Sequence, residues 1–372
     1  MSGVIHWAIA LVSAYFAWCM RKRNIGLTIM SMCVGGLAGL SMGDIVVEGR
    51  QIGGFAEFLK VSITGGLPSL VTSIVAWLLM LGFVVGLVFT VVIYRREARE
   101  ADTKRIAVVE LRGLVDTSDT PLISAISSRF VGRREDCRID LRSMVSSRSL
   151  DVAAALRELE HLPRNLRQRR ADTARADVQV VTGGVMQVPL LFYAGVLLDD
   201  EGRVTLMDWD RIKEQWRELT DVDSGARFQL DELDSVQPND EVVLAVSASY
   251  KVELADIAAT FPGLPLVHLY RPNPRVNALW SEDEQAALTQ QFLGVLSDLQ
   301  NRGVSQVHLI LAAPASLSIR FGRAYDARNM PSLRCYQWEK GQTTPYPWSV
   351  QMPLTLGASA IHLPTESQIA KA

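Results

Sequence analysis

From Leu67 to Tyr94 the chain carries no Asp, Glu, Lys or Arg, and the run stops at Arg95-Arg96. Lipid offers the backbone no hydrogen-bond partner, so an uncharged stretch longer than about 20 residues is confined to a membrane-spanning helix. Two more uncharged runs precede it: Val4–Met20, closed by Arg21-Lys22-Arg23, and Ile25–Met42. The first 94 residues therefore read as a helical transmembrane region with three expected spans, 4–20, 25–42 and 67–94. The first run is not a secretory signal, because its basic cluster follows the apolar core and no small-residue cleavage pattern comes after it. The basic clusters put the N-terminus outside, Arg21–Arg23 in a short inner turn, residues 44–66 outside, and everything after Arg95 inside. Two spans, with one run lying flat or re-entrant, is the alternative arrangement.

Glycines stand one helical turn apart at Gly35 and Gly39, Gly39 and Gly43, and Gly82 and Gly86. That spacing either lets helix backbones approach within lipid or reflects how common glycine is in membrane helices. No Asp, Glu, Lys or Arg lies inside a run, so nothing marks a proton relay or an ion-coupled transporter. Between the spans, Ile52, Phe55, Phe58 and Leu59 fit an interfacial helix or a short hairpin.

The remainder has a globular composition. The net charge over the 372 residues is −2, and the first 94 hold only five of the 38 basic and three of the 40 acidic residues. That near balance gives no pull toward a nucleic acid polymer. Cys19, Cys33, Cys137 and Cys335 form neither a CxxC pair nor a disulfide framework, and the five histidines are isolated. No metal or cofactor site is therefore expected, and the soluble part reads as reduced and intracellular.

After a charged connector (95–105), strand-like and helix-like stretches alternate. In the first half, 106–220, Ile106–Leu111 and Cys137–Leu141 read as strands, with helices from Pro121 and over Leu150–His161. The stretch carrying Arg164, Arg167, Arg169, Arg170 and Arg175 reads as a solvated loop, the alternative being contact with anionic lipid headgroups. Then come Val180-Val181, a corner at Thr182-Gly183-Gly184, a helix over Val188–Leu198 and a strand over Val204–Trp209. An acidic, turn-rich linker (221–240) leads to the second half, 241–372. There Glu241–Ser247 and Leu266–Tyr270 are strands and Ser281–Asn301 a long helix. Val307–Leu311, a corner at Ala312-Ala313-Pro314, a helix over Ala315–Tyr325 and a strand over Ser332–Trp338 follow.

That last segment repeats the first half's grammar 127 residues later, with Gly322 aligned to Gly195. Both halves read β-α-β-α-β-α-β. Either a half-domain is duplicated with a site between the copies, or the likeness is the one any two βαβ units share. Common catalytic patterns are missing: no phosphate loop, G-x-S-x-G elbow or HExxH appears, and Thr182-Gly183-Gly184 lacks the further glycines of a dinucleotide fingerprint. Tyr336 and Lys340 have the spacing of a dehydrogenase pair but straddle a strand and a turn. The chain reads as a non-enzyme. The alternative, a membrane-tethered α/β enzyme acting on a nucleotide or sugar phosphate, would draw on Asp116, Asp119 and Asp208.

The stretch VHLILAAPASLSIRFGRAYD (Val307–Asp326) and Tyr336–Trp338 resemble the SAVED domain of bacterial CBASS anti-phage signalling. Leu244–Tyr250 and Val180–Leu198 support the likeness, which covers roughly 106–362. It implies a pseudo-dimer of two CARF-type, Rossmann-like halves. It also implies a cyclic di- or trinucleotide ligand made by a cognate nucleotidyltransferase. Behind membrane helices, a SAVED domain is similar to transmembrane effectors that assemble into homo-oligomers on sensing the messenger and breach the bacterial inner membrane, causing abortive infection. Such a ligand needs backbone N–H groups at strand-end corners, arginines for phosphate and faces for bases. The expected site is Arg112, Gly113, Thr182, Gly183, Gly184, Ser247, Ser249, Tyr250, Ala313, Pro314 and Ser316. Arg271 and Arg320 are expected to reach phosphate, or otherwise to form surface salt bridges.

Overall fold

A computed structural model describes residues 25–41, 46–47, 61–62, 69–146, 149–170, 173–238, 241–342, 344–353 and 359–364. Two compact units divide the chain, Met1–Glu100 and Ala101–Ala372.

In the first unit, α1 is Ile25–Ser41, and the two-residue strands β1 (Val46–Val47) and β2 (Val61–Ser62) pair antiparallel. That pairing supports a hairpin for this loop, although Ile52, Phe55, Phe58 and Leu59 lie outside the described residues. Helix α2 is Ser69–Thr103. Within it, Ser73–Arg96 is the one helix among the described residues long and apolar enough to cross a membrane; Ile25–Leu37 is a shorter apolar helix. The expected span 4–20 and Gly43 lie outside the described residues. The two helices approach through glycine: a Cβ on Gly86 would meet the Gly26 carbonyl oxygen at 2.8 Å, and one on Gly82 would meet Cys33 Sγ at 2.8 Å. Gly35, expected on such a face, has nothing within 4 Å of its Cβ position.

The second unit holds two sheets. The first runs through β3 (Arg105–Arg112), α3 (Leu122–Ala125), β4 (Arg133–Asp140) and a small β5–β6 hairpin (Val145–Ser146, Ser149–Leu150). Helices α4 (Val152–Glu160) and α5 (Leu162–Arg170) follow, then β7 (Val178–Val185), α6 (Val188–Leu197), β8 (Val204–Asp210) and β9 (Gln215–Glu218). The arginine-dense stretch expected as loop is thus mostly the helix α5, because Leu162 and Leu166, four apart, give it a buried face. The second sheet takes β10 (Gln229–Asp231), β11 (Glu241–Ser247), α7 (Leu254–Thr260), β12 (Leu266–Tyr270), α8 (Glu282–Asn301) and β13 (Gln306–Ala312). It is completed by α9 (Ala315–Ala324), β14 (Ser332–Gln337), β15 (Trp348–Gln351) and β16 (Ile361–Pro364).

Strand order is β4-β3-β7-β8-β9 in one sheet and β10-β12-β11-β13-β14-β15-β16 in the other. In each, four strands are parallel (β4-β3-β7-β8 and β12-β11-β13-β14) and the next is antiparallel: β9 closes the first sheet, and β15 is followed by the edge strand β16 in the second. The central parallel strands are buried along nearly their whole length, as both-face coverage requires. The stretch read as a linker supplies β10, an extra edge strand on the second sheet.

The 127-residue repeat is physical. Residues Val188–Leu197 and Ala315–Ala324 become α6 and α9, which pack on each other at Gly195 and Gly322. A Cβ on Gly195 would collide with the Ile319 carbonyl oxygen, and one on Gly322 with the Phe192 carbonyl oxygen. Phe192 and Ile319 are themselves 127 apart, so the contact is self-complementary, as a two-fold contact must be. Helix α6 is apolar on every side, with Pro189 to Gly195 all buried. At ten residues it is a core helix, too short to span lipid.

Candidate ligand-binding cleft

Each sheet has a topological switch point, between β3 and β7 and between β11 and β13, where an open α/β sheet leaves a crevice at its strand ends. The two crevices are built alike. Gly113 and Leu114 both donate N–H to the Val185 carbonyl at 2.9 Å, and Ala248 and Ser249 both donate to the Ala312 carbonyl at 3.0 Å. These corner amides, expected to face a phosphate, are therefore spent on the neighbouring strand's last carbonyl. Gly113 is required there because a Cβ would lie 2.6 Å from Met186 Cβ.

Between the two switch points lies a cleft of about 80 Å³ lined from both halves. Leu114, Gly184, Asp208, Trp209 and Arg211 come from the first half. Ser249, Tyr250, Asn277, Trp280, Ala313 and Pro314 come from the second. Arg211 Nη1 donates to Tyr250 Oη at 3.0 Å, joining the halves across the lining. Arg211 is the only cationic side chain in that lining. Tyr250 is 39 % exposed. Ser249 is buried and its Oγ has no hydrogen-bond partner. Asn277 adopts φ +60, and its Nδ2 donates to Asp210 Oδ1 at 3.1 Å, closing the loop after β12 onto the end of β8. Burial opposes it, but the N–H groups of Lys213 and Ile212 and the Asn277 amide hold the Asp210 carboxyl below its ordinary value. Trp280 is positioned by its Nε1, which donates to the Asn277 carbonyl at 2.7 Å, and by Arg217 stacked 4.6 Å above its ring.

Asp208 forms part of the cleft floor. Ser316 donates to its Oδ2 from Oγ at 2.7 Å and from N at 3.1 Å, and the Trp209 N–H donates to Oδ1 at 2.8 Å. The N-terminus of α9, expected to offer amides to the ligand, is thus capped by a carboxylate from the opposite half. The reciprocal contact runs the other way: Val188 N, at the start of α6, donates to Gln337 Oε1 at 3.2 Å. Each helix is therefore capped by the last parallel strand of the other half. Burial pushes the Asp208 carboxyl above its ordinary value, against the pull of Ser316 and Trp209.

Of the residues expected from sequence, Gly184, Ser249, Tyr250, Ala313 and Pro314 line the cleft. The other eight do not, and all of them but Thr182 have a structural task. Arg112 is buried, donating from Nε to Glu110 Oε1 at 2.7 Å and from Nη1 to Ser118 Oγ at 2.9 Å. Gly113 is consumed as described. Thr182 and Gly183 are not a corner at all, because β7 continues to Val185; Gly183 leaves room for the Trp216 ring, 2.8 Å from its Cβ position. Ser247 Oγ bonds His268 Nε2 at 3.0 Å and accepts from Val252 N at 3.1 Å, fixing the turn after β11. Arg271 pairs with Glu284 at 2.6 Å and holds the Ala248 carbonyl at 3.3 Å. Ser316 serves Asp208, and Arg320 pairs with Glu282 at 2.5 Å. Both arginines expected to reach phosphate are thus held in intramolecular ion pairs. Sequence reasoning missed Arg211 and the two tryptophans. The signal for Trp209 and Arg211 is the turn Asp210–Lys213 at the end of β8, the strand that matches β14 in the repeat.

The family model described as "SAVED: SMODS-associated and fused to various effectors sensor domain" matches residues 161–352. The one described as "SAVED-fused 2TM effector domain" matches residues 4–156, running past the candidate span through β3, β4 and into α4. No curated protein matches. Among solved structures, the chain is similar to the Acinetobacter baumannii Cap4 SAVED/CARF-domain containing receptor with the cyclic trinucleotide 2'3'3'-cAAA. That match has 13 % identity and a TM-score of 0.44 over 73 % of this chain and 59 % of that one. It is also similar to the Moraxella osloensis Cap4 SAVED/CARF-domain containing receptor, at 11 % identity and a TM-score of 0.40 over 65 % of this chain and 48 % of that one. The chain thus spans a little over half the length of the first of these. The chain belongs to the SAVED family, a sensor domain joined to a SAVED-fused two-transmembrane effector domain.

Proposed function

We propose that this chain is a membrane-anchored receptor that binds a cyclic di- or trinucleotide in the cleft between its halves and acts as an effector of CBASS anti-phage defence. The observation that carries the reading is the cleft's construction: carboxyl ends of strands from both halves, an arginine, a half-exposed tyrosine and two tryptophans converge on one seam. A cyclic oligonucleotide presents repeated phosphates and bases, and a pseudo-two-fold seam offers it equivalent walls. Arg211 supplies the charge-assisted donor for a phosphodiester, Tyr250 and Trp209 the faces for bases, and Ser249 Oγ an unspent polar group. Small-molecule pockets enclose about 300–1,000 Å³. The ligand therefore seats across the mouth or parts the loops, and the Arg211–Tyr250 bond is the first contact it must replace.

The output follows from the chain's other end. Ligand drives assembly into homo-oligomers, the helices follow, and the bacterial inner membrane is disrupted, so that infected cells die before phage spreads. The sensor is cytoplasmic; the three spans that hydropathy gives put the N-terminus outside, whereas the two spans in the effector family's description put both ends of the membrane region on the cytoplasmic side. Catalysis is not needed for this role, and the one carboxylate in the cleft, Asp208, is occupied by Ser316 and Trp209. The test is dye release from liposomes holding the full chain: silence without messenger and release with it support the reading, whereas leakage without ligand contradicts it. Turnover of a cyclic nucleotide by the protein would instead favour a membrane-tethered enzyme.

A further inference from the structure

Helix α5 buries Leu162 and Leu166 and turns Arg164, Arg167 and Arg169 to solvent, with Arg170 half-exposed. Among the described residues none of the four has a carboxylate within ion-pair distance. Other arginines of this domain commonly have one, as Arg129 with Glu218 and Arg142 with Asp140. Positions 164, 167 and 170 are three apart, so their charges repel along one side of the helix. The helix C-terminus attracts the arginines of its last turn, which accounts for neither Arg164 nor the cavity beside them. That cavity, of about 300 Å³, is framed by Arg138, Asn165, Gln168 and Arg169 over Cys137. Two amides and two guanidiniums, that of Arg138 also 3.4 Å from Asp136 and that of Arg169 without a carboxylate among the described residues, surround a polar hollow that suits an oxyanion. The thiol below is no nucleophile, since burial pushes it up to about 11.

The chain itself says which oxyanion is near. Beyond the end of α5, Thr173 Oγ1 accepts from Arg105 Nε at 2.8 Å. Arg105 opens β3, directly after α2. Between Arg96, the last residue of the candidate span, and the end of α2 lie seven helical residues, a rise of about 10 Å. Those residues and Lys104 are all the chain that separates Arg105 from the span, and so from the bilayer surface. There a basic side chain gains roughly five-fold in affinity for anionic lipid.

We propose that the arginine face of α5 and its cavity bind the phosphate-bearing headgroups of anionic lipids in the leaflet from which α2 emerges. The inference rests on the membrane anchorage of the chain and not on its ligand. The test is hydrogen–deuterium exchange of the full chain in nanodiscs of zwitterionic lipid and of zwitterionic lipid mixed with phosphatidylglycerol. Amides of residues 162–175 are expected to exchange several-fold more slowly in the anionic discs. High salt should abolish the difference, and so should the combined variant Arg164→Gln, Arg167→Gln, Arg169→Gln at unchanged melting temperature. Equal exchange in the two lipids overturns the proposal. So does equal protection in zwitterionic discs on adding soluble glycerophosphate, which would identify a free phosphate ligand. Failure of the chain to enter discs at all would refute the membrane anchorage instead.

Discussion

Replacing Gly322 by alanine tests the contact on which the two halves depend. The added methyl group would fall on the Phe192 carbonyl oxygen and lie 3.1 Å from Gly195 Cα. Both obstacles are backbone, so no side chain can swing aside and the helices α6 and α9 must part. Overpacking a tight core costs about 1–3 kcal/mol, and a backbone-on-backbone clash belongs at the upper end. Alanine's better helix propensity returns about 1 kcal/mol. The net loss is about 2 kcal/mol, which at roughly 2–4 °C per kcal/mol for a domain of this size lowers the melting temperature by about 4–8 °C. Gly195→Ala meets the Ile319 carbonyl and Arg323 N and should lose a similar amount. One displacement relieves both clashes, so the double variant should lose distinctly less than the sum. Thermal unfolding of the purified full chain, followed by tryptophan fluorescence, reads all three values. An unchanged melting temperature in either single variant refutes the crossing, and strict additivity refutes its self-complementarity.

Three further outcomes are expected. Arg320→Gln should lower the melting temperature slightly through loss of its Glu282 partner yet leave affinity for a cyclic oligonucleotide unchanged, as calorimetry would show. Burial holds His268, His308 and His362 below the ordinary histidine value, so the folded state keeps them neutral while the unfolded chain protonates near pH 6.5. Their contribution is complete above that value and is lost as pH falls through it. The melting temperature should therefore drop between about pH 7.5 and 5.5, and His308→Gln should make the drop shallower. Gly86→Leu drives a side chain into the Gly26 carbonyl and Met30, so liposome leakage should fall while messenger binding persists.

Much of the architecture was legible because strand and helix periods are local properties. The runs Ile106–Leu111 and Glu241–Ser247 are apolar throughout because covered parallel strands are. The alignment of Gly195 with Gly322 marked a real contact. The site was only partly legible, since identity at a corner does not say which way an amide points. Thr182-Gly183-Gly184 looks like a turn, but the glycines are there to admit Trp216 and Leu191 against a continuing strand. Arg271 and Arg320 looked available because their partners, Glu284 and Glu282, reach them only through the fold, whereas Glu110 stands two residues from Arg112 on one face of β3; Glu284, placed by Ser281 as in a capping box, turns to Arg271 instead. Arg211, in a polar turn, gave no such promise and is the cation left in the cleft.

The central claim is that the seam between the halves is the messenger site, and Arg211 tests it most directly. Calorimetry of the full chain in detergent against a panel of cyclic di- and trinucleotides should find a binding member. Arg211→Ala, which removes a charge-assisted hydrogen bond of about 1.5–3 kcal/mol, should weaken it roughly 10- to 100-fold at unchanged melting temperature. Binding by the wild type that Arg211→Ala leaves intact would contradict this placement of the site, and no heat from any member of the panel would contradict the receptor reading itself.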